Sequence, residues 1–81
     1  MYRITTDEIS SDQVTALPKE ALLIYAEILG VLELVPWQGD PMNDENPNGP
    51  LRTLAFGQFG MITYLILDDQ LRVDLVDVTW V

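Results

Sequence analysis

Near its start the chain alternates Tyr2, Ile4 and Thr6 with Arg3 and Thr5, the period-two pattern of a short strand with one face toward a core. Thr5 and Glu8 then stand at the spacing of a capping box, and Ile9, Gln13, Ala16 and Leu17 recur at helical spacing. A first helix is expected from about Asp7 to Leu17. Pro18 suits the opening turn of a second helix, where its missing N–H has no partner to lose and its φ is already near helical. That helix, Lys19 to Leu34, is apolar almost all round. Its only charges are Lys19, Glu20, Glu27 and Glu33, so one sheet face cannot cover it. Either the first helix supplies the second wall, or a partner does so along Tyr25, Ile28 and Leu32. Gly30 weakens the helix interior by about 1 kcal/mol relative to alanine and marks a place where another backbone could come close.

Residues 36–50 hold four prolines, two glycines and no basic residue, so a loop without helix or strand is expected. A connection of that length in so short a chain is often functional. Beyond it Leu51–Phe56, Met61–Leu67 and Leu71–Val78 read as three strands. The segments between them, Gly57–Gly60 and Asp68–Gln70, are short enough to make antiparallel hairpins. Alternation at Leu71, Val73 and Leu75 shifts phase to Val76, Val78 and Trp80, the mark of a bulge or of a strand covered on both faces. The order βααβββ describes an α+β fold, two helices on a four-stranded, mainly antiparallel sheet.

With 81 residues the chain has room for one domain, residues 1–81, and a core of that size commonly needs a staple. It has neither cysteine nor histidine, so no disulfide and no thiolate or imidazole metal site can supply one, and a protein partner is the remaining candidate. Thirteen acids against four bases give a net charge of −9, and Arg3, Lys19, Arg52 and Arg72 are too scattered to form a basic face. Direct nucleic-acid binding is therefore not expected. An acidic surface suits a basic protein partner or simply keeps the chain soluble. The N-terminus is polar and the longest apolar run, Ala21 to Ala26, is too short to cross a bilayer, so no membrane role and a cytoplasmic location are expected. No cofactor or metal is expected either. Asp44-Glu45-Asn46-Pro47-Asn48-Gly49 copies the opening of a calcium loop, but Ala55 stands where the bidentate glutamate belongs, and turn formation by Asn, Pro and Gly is the expected reading.

Four segments occur in a telling order: Ala16-Leu17-Pro18-Lys19-Glu20-Ala21, Leu32-Glu33-Leu34-Val35-Pro36, Gly49 to Gly57, and Met61 to Asp69 with Tyr64 inside it. Together they resemble the RelE/ParE superfamily of toxin-antitoxin toxins over nearly the whole chain. Trp37, Asn46-Pro47 and Val78-Thr79-Trp80 look like its small actinobacterial members. The resemblance implies the βααβββ fold and a cognate antitoxin or a second copy as partner. The family's ribonucleases cut messenger RNA on the ribosome by activating the ribose 2′-hydroxyl, and the charge that grows on phosphate calls for cations there. Arg52 matches the family's first basic position and Leu54 replaces the second. No Lys, Arg or His lies between Arg52 and Arg72, and only Trp80 and Val81 stand where the family places a further base.

Arg52 and Tyr64 are the remaining catalytic candidates. Each has a plainer alternative: Arg52 as the ion-pair partner of an acid, Tyr64 as sheet packing. Trp37 and Trp80 serve either as partner contacts or as lids on the core. The expected function is a toxin-like component acting through protein contacts without catalysis. The alternatives are a residual ribosome-dependent endoribonuclease using Arg52 and Tyr64, and a degenerate homologue with an assembly or regulatory role.

Overall fold

The inward and outward alternation of the strands organises one mixed sheet, seen in a computed structural model that describes residues 1–81. In chain order the elements are β1 (Arg3–Thr6), α1 (Glu8–Thr15), α2 (Lys19–Leu34), β2 (Asp40–Pro41), β3 (Leu51–Phe56), β4 (Gly60–Leu67) and β5 (Arg72–Trp80). The sheet order is β1-β5-β4-β3-β2, antiparallel except for the parallel β1–β5 pair. The expected α+β architecture of N-terminal helices on a mainly antiparallel sheet is present. It has five strands rather than four, because two residues of the 36–50 segment pair with β3.

Ile62, Tyr64 and Ile66 of β4 face the helices together with Leu54 and Phe56 of β3 and Val73, Leu75 and Val78 of β5. The phase shift read in β5 is a bulge. Leu75 pairs with Tyr64 and Asp77 with Thr63, so Val76 has no partner and stands exposed. That extra residue moves the inward set from odd to even numbers and brings Trp80 onto the core side. Leu71 lies just outside the strand, in the left-handed region at φ 48, which closes the turn before β5.

α1 does not cover α2, as one of the two expectations had it. It lies against β5, because β1 ends opposite Leu75 and leaves the rest of that edge without a strand. Polar side chains of α1 take over the ladder. Ser10 Oγ donates to the Leu75 carbonyl at 3.1 Å, Gln13 Oε1 accepts from Val78 N–H at 2.8 Å, and Gln13 Nε2 donates to Asp77 at 2.7 Å. The N-terminus of α1 is capped by Asp7, whose carboxylate accepts from Ser10 N–H at 2.7 Å. Thr5, expected as the cap, belongs to β1 and gives its hydroxyl to Asp74 instead.

α2 turns Ala21, Tyr25 and Leu32 inward over β1, β3 and β5, with Ile28 half-buried beside them. Leu32 is fully buried and Tyr25 nearly so, which makes both core residues, and of the three residues expected to meet a partner Ile28 keeps the most side chain at the surface. The opposite side of α2 is the open one, with Leu23 and Leu34 about two-thirds exposed. Gly30 sits there with nothing near its Cβ direction, so no other backbone of this chain approaches it. No helix is long and apolar enough to cross a membrane.

Replacing Gln13 by alanine removes both ends of the amide that stands in for a strand and leaves Val78 N–H without its acceptor. The expected result in urea titration is a loss of about 1–3 kcal/mol with an unchanged slope. Thr15→Ala, on the exposed side of the same helix, should stay within about 0.5 kcal/mol of the parent.

Candidate functional site

Arg52 and Tyr64 are cross-strand partners in the β3–β4 ladder, so their side chains emerge next to each other on the helix side of the sheet. The segment of residues 36–50 closes over both. Pro36–Gln38 forms a turn of 3-10 helix, Asp40–Pro41 joins β3, and Met42 N–H bonds the Leu51 carbonyl at 3.0 Å. Between them the chain loops outward through two turns, Asn46 N–H to Asn43 O and Gly49 N–H to Asn46 O, both 3.0 Å. The Asn43 side chain accepts from Glu45 N–H. This is the turn chemistry read in the sequence.

The loop turns its carbonyl groups inward, and Arg52 fills the space they leave. Arg52 Nε donates to Gly49 O at 3.1 Å, Nη1 to Gly39 O at 2.9 Å and Trp37 O at 3.3 Å, and Nη2 to Pro47 O at 2.8 Å. The guanidinium lies 4.8 Å from the Trp37 ring centroid, which closes its face. Arg52 is buried and contacts no carboxylate. The expected ion pair with one of the acids is thus replaced by a ring of backbone dipoles, which neutralises a buried cation as oxygen ligands do a metal. The one side-chain ion pair in the fold joins Arg72 to Asp74 at 2.8 Å.

Tyr64 is fully buried and donates its hydroxyl to Pro36 O at 2.6 Å. Burial pushes this phenol above its ordinary range, so its proton is held more firmly than in water. Gly39 makes the contact possible: a Cβ there would lie 2.1 Å from the Tyr64 hydroxyl oxygen and 2.7 Å from Thr53 O. Trp37 is 38% exposed, lid to Arg52 on one side and donor through Nε1 to Asp68 at 3.1 Å on the other. Asp68 also accepts the Tyr2 hydroxyl, so a single carboxylate joins the N-terminus, the loop and the β4–β5 turn.

Arg52, Tyr64 and Trp37 therefore come together, but as the anchor of a loop. Trp80 lies elsewhere, at the β3–β4 hairpin, with its ring 5.5 Å from Phe56 and 5.9 Å from Phe59. Sequence reasoning missed Pro36, Gly39, Pro47 and Gly49, because they act through backbone carbonyls. The usable signal was an arginine directly after a stretch rich in proline and glycine. On the sheet face away from the helices, β3 and β4 present Thr53, Ala55, Met61, Thr63 and Leu65, with no base among them.

No protein-family model and no curated protein sequence matches the chain. Solved structures do. Over 99% of its length the chain superposes on 98% of a chain of the RelBE2 toxin-antitoxin complex from Mycobacterium tuberculosis, with a TM-score of 0.83 and 21% identity. The intact RelBE complex of E. coli matches with a TM-score of 0.83 at 12% identity, covering 100% of this chain and 98% of that one. The isolated E. coli RelE toxin matches with a TM-score of 0.82 at 12% identity, covering 99% and 84%. The fold is that of the RelE toxins. Within this RelE-like fold the 36–50 loop and its Arg52 anchor occupy the N-terminal end of β3, and the other end of the sheet is sealed by Phe56 and Trp80.

Arg52→Ala should cost about 3–5 kcal/mol, because it leaves several buried carbonyls without donors, and Arg52→Lys should recover little of this, since one ammonium cannot span four acceptors. Limited proteolysis would then open the chain first around Asp44–Asn48. Acid should act through three carboxylates held below their usual range: Asp68 by the Tyr2 hydroxyl and then Trp37, Asp74 by the Thr5 hydroxyl and then Arg72, and Asp7 by the Ser10 N–H. A depressed folded pKa means that the stabilisation is complete above the unfolded value, about 4, and lost as pH falls through the folded values. Thermal midpoints should hold from about pH 7 to 5 and fall below about 4. Asp68→Asn should flatten that fall.

Proposed function

We propose that this chain is a toxin-like component of a toxin-antitoxin pair, a single 81-residue module that acts through protein contacts and does not cleave RNA. The observation that carries the reading is the state of Arg52 and Tyr64. The guanidinium is surrounded by four loop carbonyls and the phenol is bonded to a fifth. Phosphoryl transfer needs donors preorganised toward developing charge on a substrate, and donors already paired with buried acceptors cannot meet it without unfolding the loop. No other base lies on β3 or β4.

The partner side of the proposal draws on the similar solved structures, which are toxin-antitoxin complexes. The edge of β1 supports it physically. Arg3 N–H bonds Leu71 O, so in this parallel pair the backbone groups of Arg3 and Thr5 face β5 and those of Ile4 and Thr6 face outward. Beside that edge runs a groove of about 590 Å³ lined by Met1, Tyr2, Ile4, Tyr25, Leu29 and Glu33 among others. A strand from a partner chain added there would satisfy the free backbone groups and lay alternate apolar side chains into the groove. A cognate antitoxin fits this better than a second copy, because two chains of net charge −9 repel. We assign the chain to the small actinobacterial type on Trp37 and Trp80, which here close the loop and the hairpin.

Induced expression followed by primer extension on messenger RNA decides the central claim. The expected outcome is no ribosome-dependent cut, with identical profiles for the parent and Tyr64→Phe. Cuts that disappear in Tyr64→Phe while the protein stays folded would make the chain a ribonuclease.

A further inference from the structure

α2 carries leucines on the side that faces the sheet and on the side that faces away from it, and the fold buries one of those sides. Ala21, Tyr25 and Leu32 point to the sheet; Leu23, Ala26, Glu27, Gly30 and Leu34 point away from it, and no element of the chain covers them. Leu23 and Leu34 are 66% and 67% exposed, and Leu22 adds to the patch at 37%. Eleven residues separate the two leucines, about 16 Å of helix at 1.5 Å per residue, or three turns. Between them Ala26 and Gly30 leave a low saddle, and the space in front of Gly30 is empty. Two apolar knobs around a shallow saddle, at spacings of three and four residues, form the seam that one helix presents to another.

The borders of the seam fix the sign of its partner. Glu20 and Glu27 lie along one side and Glu33 along the other; the only base on the helix is Lys19, at its first position. An anionic membrane surface and a second copy of this acidic chain both meet like charge there. We infer that the outer face of α2 docks an amphipathic helix whose apolar seam is bordered by lysine and arginine, with a bulky side chain over Gly30. The inference rests on the reading of the chain as a binding module and adds a second contact, remote in character from the strand edge of β1. Complementary charges flanking an apolar seam set orientation and partner choice as they do in coiled coils.

The test uses the whole chain, isotopically labelled, and two synthetic 21-residue helical peptides with the same leucine seam, one flanked by lysine and arginine and the other by glutamate. With the basic peptide, amide shifts should concentrate on Leu22 to Leu34, and affinity should weaken as salt rises. The acidic peptide should bind at least about tenfold more weakly. Leu23→Glu, at an exposed position, should keep the parent's circular dichroism and lose roughly tenfold in affinity or more. Glu27→Lys should weaken the basic peptide and strengthen the acidic one. Equal binding of both peptides, shifts confined to the β1 groove, or a Leu23-dependent dimer of the chain alone in sedimentation would each overturn the inference. Failure of the peptide arms would leave the non-cleaving reading standing, and messenger-RNA cuts in primer extension would remove that reading whatever the peptides do.

Discussion

The rest of this structure depends on a cation held by backbone carbonyls. Within residues 36–50 the buried apolar surface comes mainly from Pro36 and Trp37 at the start, and the stretch beyond them has almost no regular structure to hold it in place. Arg52 supplies what it lacks: a planar set of donors that reaches Trp37, Gly39, Pro47 and Gly49 at once, anchored on β3 between β2 and β4. Tyr64 performs the same service for Pro36 from the neighbouring strand. A neutral residue at position 52 would leave the carbonyls unpaired, and a carboxylate partner would have no reason to draw the loop inward. The bonding that shapes the loop also withdraws the only base of β3 and β4 from solvent, so one set of contacts decides the architecture and the chemistry open to it.

The edges of the sheet follow a similar logic of paired and unpaired backbone. On the β2 side the strand is two residues long, and Pro41 occupies the position whose N–H would face outward, so no donor is offered to another strand. Along the second half of β5 the side chains of Ser10 and Gln13 replace a strand, and the bulge at Val76 puts Leu75 and Val78 in their reach. The outer side of β1 is what remains. Its first group is closed by the Tyr2 N–H bond to Glu33 O at 2.8 Å, and beyond it Ile4 and Thr6 stand open next to the largest groove. Of the sheet's edges, that stretch is the one whose backbone groups are neither blunted by a proline nor covered by side chains of α1.

What the sequence revealed and what it hid divide along the range of the interactions. α2 runs from Lys19 to Leu34 as its apolar run and Pro18 imply, β3 matches its predicted span, and the bulge in β5 showed as a phase shift, because each of these is written in neighbouring side chains. The position of α1 was hidden, since the partners of Gln13 lie about 65 residues away and are a backbone amide and a carboxylate with no distinguishing pattern. The inner side of α2 was hidden for a different reason. A helix apolar all round carries almost no moment to orient it, so Tyr25 and Leu32 could not be told from Leu23 and Leu34 until the sheet chose. The candidate pair Arg52 and Tyr64 was legible as residues and not as a site, because their acceptors are carbonyls, which every residue type shares.

Identities of 12% and 21% over essentially the whole chain, with TM-scores near 0.83, show how little of the sequence the fold needs. In this chain an inward set of aliphatic and aromatic residues, a bulge and a loop anchor place the elements, and the surface positions lie outside that set. Acids outnumber bases here thirteen to four, and of the four bases Arg52 is buried and Arg72 is paired. The field around the molecule is therefore more uniformly negative than the residue count alone suggests. It repels polyanions at every approach and favours a cationic partner at whichever surface also offers apolar contact. On the outer face of α2 both conditions meet, with Leu23 and Leu34 exposed beside Glu20, Glu27 and Glu33, and Glu33 is shared with the β1 groove.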